Sequence, residues 1–289
     1  MVFTLTPQIV INPLTTSDCN TSNDAAIEEI SRSLNVAKNC LNGIYINVPD
    51  RAISKIPKTI SVLTNLESLD LNNNQLCCLP EEMGALSKLH HLLIRQNLLW
   101  CIPETIGFLV NLRVLILWGN QLTTLPDSIC NLKKLEDLYL NHNKIEQLPD
   151  AIGEMVNLRT LNVANNALYY LPDSICKLSA LQVLDLRHNF IALLPEKIGY
   201  LNVIDLDLST NELTSLPILI GCFPGGSKLN LSVNRITALP IFHYARIVTV
   251  RNNPIPDEVK FIFRSPWGPR FDFSVDEGFV RRDSFVKLF

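Results

Sequence analysis

One spacing governs this chain. Asparagines 74, 97, 120, 143, 166 and 189 stand 23 residues apart, and Asn211 and Asn234 follow after 22 and 23. Leucines recur at fixed offsets around each. LESLDLNNNQLCCLP from Leu66, LRVLILWGNQLTTLP from Leu112, LEDLYLNHNKIEQLP from Leu135 and LQVLDLRHNFIALLP from Leu181 all fit L-x-x-L-x-L-x-x-N-x-L-x-x-L-P. Upstream, Ile46, Val48, Ile53 and Ile56-Pro57 fit a first copy with Arg51 at the asparagine place; downstream, Val248, Val250, Asn253 and Ile255 fit a shortened last one. About ten copies span residues 43–255. A single copy cannot bury its own leucines, so the folding unit is the stack.

Each part of the copy has a physical reading. The L-x-L alternation makes a short strand with its leucines turned inward. Asparagine can bond the backbone groups exposed where the chain leaves the strand, and stacked copies form a ladder. In Leu125-Pro-Asp-Ser-Ile129, proline suits the first position of a short helix and an acidic residue its positive end, as do Asp150, Asp173 and Glu196 in other copies. Ile129 and Leu132 then fall on one buried side.

The pattern resembles the leucine-rich-repeat family, in its cytosolic 23-residue class (LPxxIxxLxxLxxLxLxxNxL), over roughly three quarters of the chain. Periodicity and resemblance predict an α/β solenoid, a horseshoe with a parallel concave sheet. Its ends need seals. Residues 24–42 place Ile27, Ile30, Leu34 and Leu41 at helical spacing and are expected to form an N-terminal capping helix. Residues 256–289 are expected to supply a C-terminal cap and tail, with Phe261, Phe263, Trp267 and Phe271 as an aromatic plug, and residues 1–23 a flexible leader. Two copies are irregular: Leu201-Asn-Val203 is one residue short, and in Phe223-Pro-Gly-Gly226 a glycine replaces leucine. A kink or a tolerated convex irregularity would account for this, and loops absorb such variation readily.

Composition narrows the function. The net charge is −3, from 25 basic and 28 acidic residues, which gives no general reason to bind nucleic acid or an anionic membrane. Leucine supplies about one residue in six, but no run is long enough to cross a bilayer. Met1–Thr21 lacks Lys and Arg and carries two prolines, unlike a secretory signal. The eight cysteines show no CxxC pairing; Cys130 and Cys176 share a repeat position with Gly107, Gly153 and Gly199, with Cys222 a further candidate for it, as small semi-buried thiols would. The expectation is a cytoplasmic protein with reduced cysteines, in which the sequons at Asn20 and Asn230 are chance matches.

Core positions are committed to packing, so function must use the other strand positions. These place His91, Leu93, Arg95, Val114, Ile116, Trp118 and Tyr139 together on copies three to five, with Leu98 and Trp100 at the rim. An exposed apolar patch rimmed by polar groups marks an interaction surface, and Trp, Tyr and Arg are enriched at binding hot spots. Mutual support between cross-strand neighbours such as Leu93 and Ile116 is the alternative, but Trp118 is a costly residue to expose without a partner, which favours the interface. A second region holds Asp185, Arg187, His188, Phe190, Asp205, Asp207 and Glu212, with Tyr169 and Tyr170 on the preceding loop; its acidic side could receive basic groups. Asn141, His142 and Asn162 join the two regions, completing the expected partner-binding set.

No catalytic residue, metal or cofactor is expected. His91, His142 and His188 sit too far apart along the stack, roughly 10 Å for two strands, to share one zinc. No Walker, GxSxG or HExxH string occurs. About 34 residues follow the last copy, none of them cysteine, too few for the ubiquitin-ligase domain that some bacterial leucine-rich-repeat proteins carry.

The reading is a non-enzymatic protein-binding module, monomeric in isolation, that covers a partner's surface and acts as an inhibitor. The resemblance extends to compact virulence effectors of Legionella-type intracellular bacteria, which implies delivery into the host cytosol without a signal peptide and a partner that is a host signalling protein or a co-delivered effector enzyme. Two alternatives stand beside it: a signalling scaffold or phosphatase-regulatory protein of the same repeat class, and a cryptic enzyme using Asp185 and His188.

Overall fold

The computed structural model describes residues 9–10, 44–50, 52–223, 226–242, 247–258 and 270–272. The repeat dictates one unclosed, all-parallel sheet of twelve strands that runs in chain order. The strands are β1 (Ile9–Val10), β2 (Ile44–Asn47), β3 (Leu66–Asp70), β4 (His91–Leu93), β5 (Val114–Ile116), β6 (Asp137–Tyr139), β7 (Thr160–Asn162), β8 (Val183–Asp185), β9 (Asp205–Asp207), β10 (Lys228–Asn230), β11 (Ile247–Thr249) and β12 (Arg270–Asp272). Register follows the leucines: Leu69, Leu92, Leu115, Leu138, Leu161, Leu184, Leu206 and Leu229 are successive partners. All are buried. Their backs pack on the convex segments, where Ile129 and Leu132 are buried as the spacing predicts.

The asparagine ladder is present rung by rung. Asn120 donates from Nδ2 to the carbonyls of Ile94 (2.8 Å) and Leu117 (2.9 Å) and accepts from the Leu99 N–H at 3.1 Å, one repeat back. The last rung is Asn253, which donates to Leu231 and accepts from the Ile236 N–H. The residue before each rung takes a left-handed backbone: Asn73, Gln96, Gly119, His142, Asn165, His188, Thr210, Val233 and Asn252 all have φ between 50° and 70°. Asparagine and glycine suit this turn, whereas β-branched Val233 is strained in it.

The convex segments differ from the expected helix starts. They are short 3-10 turns such as Glu104–Phe108, Asp127–Asn131 and Asp173–Lys177. Proline does not open the turn but precedes it in an extended conformation; at Pro126 φ is −68° and ψ 143°, and its carbonyl accepts the Ile129 N–H at 3.1 Å. Cys130 and Cys176 share their place with Gly153 and Gly199, but Cys222 does not: Gly221 holds that position and Cys222 follows it. The place is tight, for a Cβ built on Gly199 would lie 1.6 Å from the Leu219 carbonyl oxygen.

The two irregular copies leave the sheet intact. β9 pairs in unbroken register with β8 and β10. The missing residue is absorbed at Leu201, where ψ is 144° instead of the 49–74° seen at the equivalent residue of the earlier repeats. Val203 still reaches the core, and Phe223 is fully buried in the repeat where exposed Gly226 replaces a leucine. The irregularity is convex.

At the ends, Ile9–Val10, within the stretch expected to be a leader, pairs with β2. Beyond the last expected repeat, β12 continues the sheet in parallel with Phe271 beside Val248. Phe271 packs edge-on against Phe242 with centroids 5.6 Å apart, and Arg251 ion-pairs with Asp272. The expected capping helix at 24–42, the remaining plug residues Phe261, Phe263 and Trp267, and the tail at 273–289 lie outside the described residues. Among the described residues no helix is long and apolar enough to cross a membrane.

Candidate functional site

Because the register is unbroken from β3 to β11, the strand positions that do not face the core form rows. One row runs Leu93, Ile116, Tyr139, Asn162, Asp185, Asp207. A second begins His91, Val114, Asp137. A third, just past the strands, carries Arg95, Trp118, Asn141, the buried Ala164 and Arg187.

The rows bring most of the expected patch together. Leu93, Val114, Ile116 and Tyr139 are half-buried neighbours on β4 to β6, while His91 and Arg95 are exposed. The Arg95 guanidinium carbon lies 5.8 Å from the centroid of the Trp118 ring, and the His142 ring stands 6.5 Å from it. Among the described residues Arg95 has no acidic partner. Burial beside Asp137 pushes the Tyr139 hydroxyl up, opposed by a bond to Thr160. Burial, with His90 and Arg113 close by, pushes the His91 imidazole down, so it is held neutral more readily than a free histidine.

Trp100 stands apart from this group. It lies on the loop three residues past Asn97, 61% exposed, and not on the sheet. His142 and His188 occupy the left-handed turn position, whereas His91 is on a strand, so the three do not share a row. No group of three or more His, Cys, Asp or Glu side chains able to hold a metal occurs among the described residues.

The acidic end is more self-satisfied than the sequence suggests. Asp185 pairs with Arg187 at 3.4 Å, and Asp207 accepts from Ser209 and from Asn230 Nδ2. Burial nevertheless pushes the Asp185 carboxyl up, helped by Asp207 and Asp205 and resisted by Arg187. Tyr169 and Tyr170 lie on the loop edge that follows the ladder, and Phe190, grouped on the sequence with the acidic strand residues, lies there with them, stacked on Tyr169 at 5.7 Å and 22°. Leu193, 65% exposed and four residues past Asn189, is a further apolar residue on this edge. Its signal is an apolar residue four places after the ladder asparagine, the place Tyr170 holds in the preceding repeat; other repeats carry Cys78, Cys101, Thr124, Gln147, Ser215 and Ala238 there.

Comparison with known proteins agrees with this architecture. A leucine rich repeat family model matches residues 110–168, and a second matches residues 65–86. No curated protein matches the sequence. Among solved structures, the chain resembles a TDR receptor at 22% identity and a TM-score of 0.66, over 86% of this chain and 46% of that one. It resembles the functional domain of InlJ from Listeria monocytogenes at 21% and 0.64, over 80% and 48%. It also resembles a chain of the Toll–Spatzle complex of Drosophila at 22% and 0.63, over 74% and 31%. The chain spans a third to a half of the length of these three, and the likeness is one of fold. The fold is that of a leucine-rich-repeat solenoid.

Proposed function

We propose that this chain is a non-enzymatic protein-binding module whose concave face, at repeats three to five, grips a partner protein and blocks the surface it covers. One observation supports this most: an indole just past β5, flanked by the ring of His142 and by the guanidinium of Arg95, which has no acidic partner among the described residues, and set beside Leu93, Ile116 and Tyr139. Aromatic and arginine anchors of this kind, held in place before binding, concentrate affinity in a few side chains. The leucine scaffold does not need them there; repeat six places Asn162 and Ala164 at the positions of Ile116 and Trp118.

Blocking follows from geometry. A curved face that buries a partner's surface excludes other molecules from it, and needs no chemistry of its own. Such a module suits an effector acting on another protein, a co-delivered enzyme or a host signalling protein. The Asp185–Arg187 pair engages the carboxylate that the Asp185–His188 arrangement of a cryptic enzyme would use, which favours the binding reading. The test is to capture a partner on the immobilised full chain, identify it, and titrate its activity with added chain. Stoichiometric loss of activity, relieved by Trp118→Ala, is expected. Full activity in the saturated complex contradicts the blocking role and leaves the scaffold reading.

A further inference from the structure

The loop edge of repeats four to seven carries a surface that the concave face does not explain. The Tyr170 ring separates two shallow grooves. Asp127 and Asp150 rim the first, and Asp150 and Asp173 rim the second. The Tyr170 hydroxyl donates to Gln147 Oε1 at 3.1 Å, which fixes the ring. Next to it the Tyr169–Phe190 stack is exposed, with Tyr169 at 59%. The three carboxylates stand 23 residues apart, one per repeat, and among the described residues none is engaged by a hydrogen bond or an ion pair.

Exposed rings between unpaired carboxylates have a specific complement. A guanidinium lays its plane on an aromatic face and forks its N–H groups onto a carboxylate, while its methylene stem covers apolar surface. An ammonium matches the charge but not the plane. Carboxylates without cations of their own also repel one another, which an incoming cation relieves.

We infer that this edge docks an extended segment of a partner protein that presents arginine side chains, one in each groove beside Tyr170. The inference is independent of the concave reading, because the two surfaces share no residue. The probe is a fluorescein-labelled Gly-Ser-Arg-Ser-Arg-Ser-Gly peptide, titrated with the full chain at low ionic strength and followed by anisotropy, with Lys and Glu versions as comparisons. The arginine peptide is expected to bind more tightly than the lysine one, and the glutamate one not at all. Tyr170→Leu, and separately Asp150→Asn with Asp173→Asn, should each weaken binding by about tenfold, while Trp118→Ala leaves it unchanged. These are exposed positions, and circular dichroism confirms folding. Binding that survives both variants, that falls equally in Trp118→Ala, that is equal for Lys and Arg, or that is absent overturns the inference.

Discussion

Arg95 holds its guanidinium carbon 5.8 Å from the centroid of Trp118 on the next repeat. The cation and the indole shield each other while both remain partly open to solvent, so neither side chain must be ordered from scratch when a partner arrives. Arg95→Ala is therefore expected to weaken partner binding by about 1–2 kcal/mol. It should also expose the indole: with Trp100 and Trp267 replaced by Phe, acrylamide quenching of Trp118 rises on Arg95→Ala. Unchanged quenching would mean that the contact does not persist in solution.

The ladder gives the clearest stability test. Asn120 serves three backbone groups at once. Asn120→Ala strands them in the interior and should cost about 2–4 kcal/mol, read as a lowered denaturant midpoint. Asn120→Asp keeps the acceptor for the Leu99 N–H but sets an oxygen against two carbonyls, so it should be no milder. A loss under about 0.5 kcal/mol would remove the ladder from the account.

Backbone strain makes a paired prediction. Val233 has φ of 58° in a turn that asparagine or glycine fills in several other repeats. Val233→Gly should gain about 1 kcal/mol by releasing the Cβ clash. Gly199→Ala should do the opposite, since the Leu219 carbonyl oxygen occupies the space of the new methyl; a loss of about 2 kcal/mol or more in chemical denaturation is expected.

Cys130 predicts a pH dependence. Burial, with Asp127 nearby, pushes its thiol up to about 11 from the ordinary 9.0. An acid raised on folding is held neutral in the native state, so its contribution is fully present below the unfolded value and is lost as pH climbs through the folded one. Stability should fall more steeply between about pH 9 and 11 in the native chain than in Cys130→Ala. Iodoacetamide near pH 8 should label exposed Cys77, Cys78 and Cys222 well before Cys130.

How much of this was legible in the sequence depends on what repeats. Leu92, Leu115 and Leu138 had to become partners because a fixed period fixes register, and the rows holding Ile116 and Tyr139 follow from the same arithmetic. Features that occur once were not legible. Leu201 absorbs a deletion by a change of ψ that no residue type announces. β12 carries no leucine motif, so the stack extends past the point where the pattern fades. Pro126 precedes its turn rather than opening it, a shift of one residue that proline permits either way. Phe190 follows Asn189 by one place, which puts it past the turn and on the loop edge, away from the sheet. The half-burial of Trp118 depends on where the Arg95 and His142 side chains settle, which spacing does not encode.

The central claim is that the concave indole, and not merely a large apolar surface, binds the partner. The most direct measurement is titration calorimetry of the purified partner against the native chain, Trp118→Ala and Phe108→Ala, since Phe108 is the more exposed aromatic and lies on the convex side. The account predicts that Trp118→Ala weakens binding by at least about 2 kcal/mol, roughly thirtyfold, while Phe108→Ala changes it by less than about 0.5. Equal affinity for the native chain and Trp118→Ala, with both folded, would contradict it.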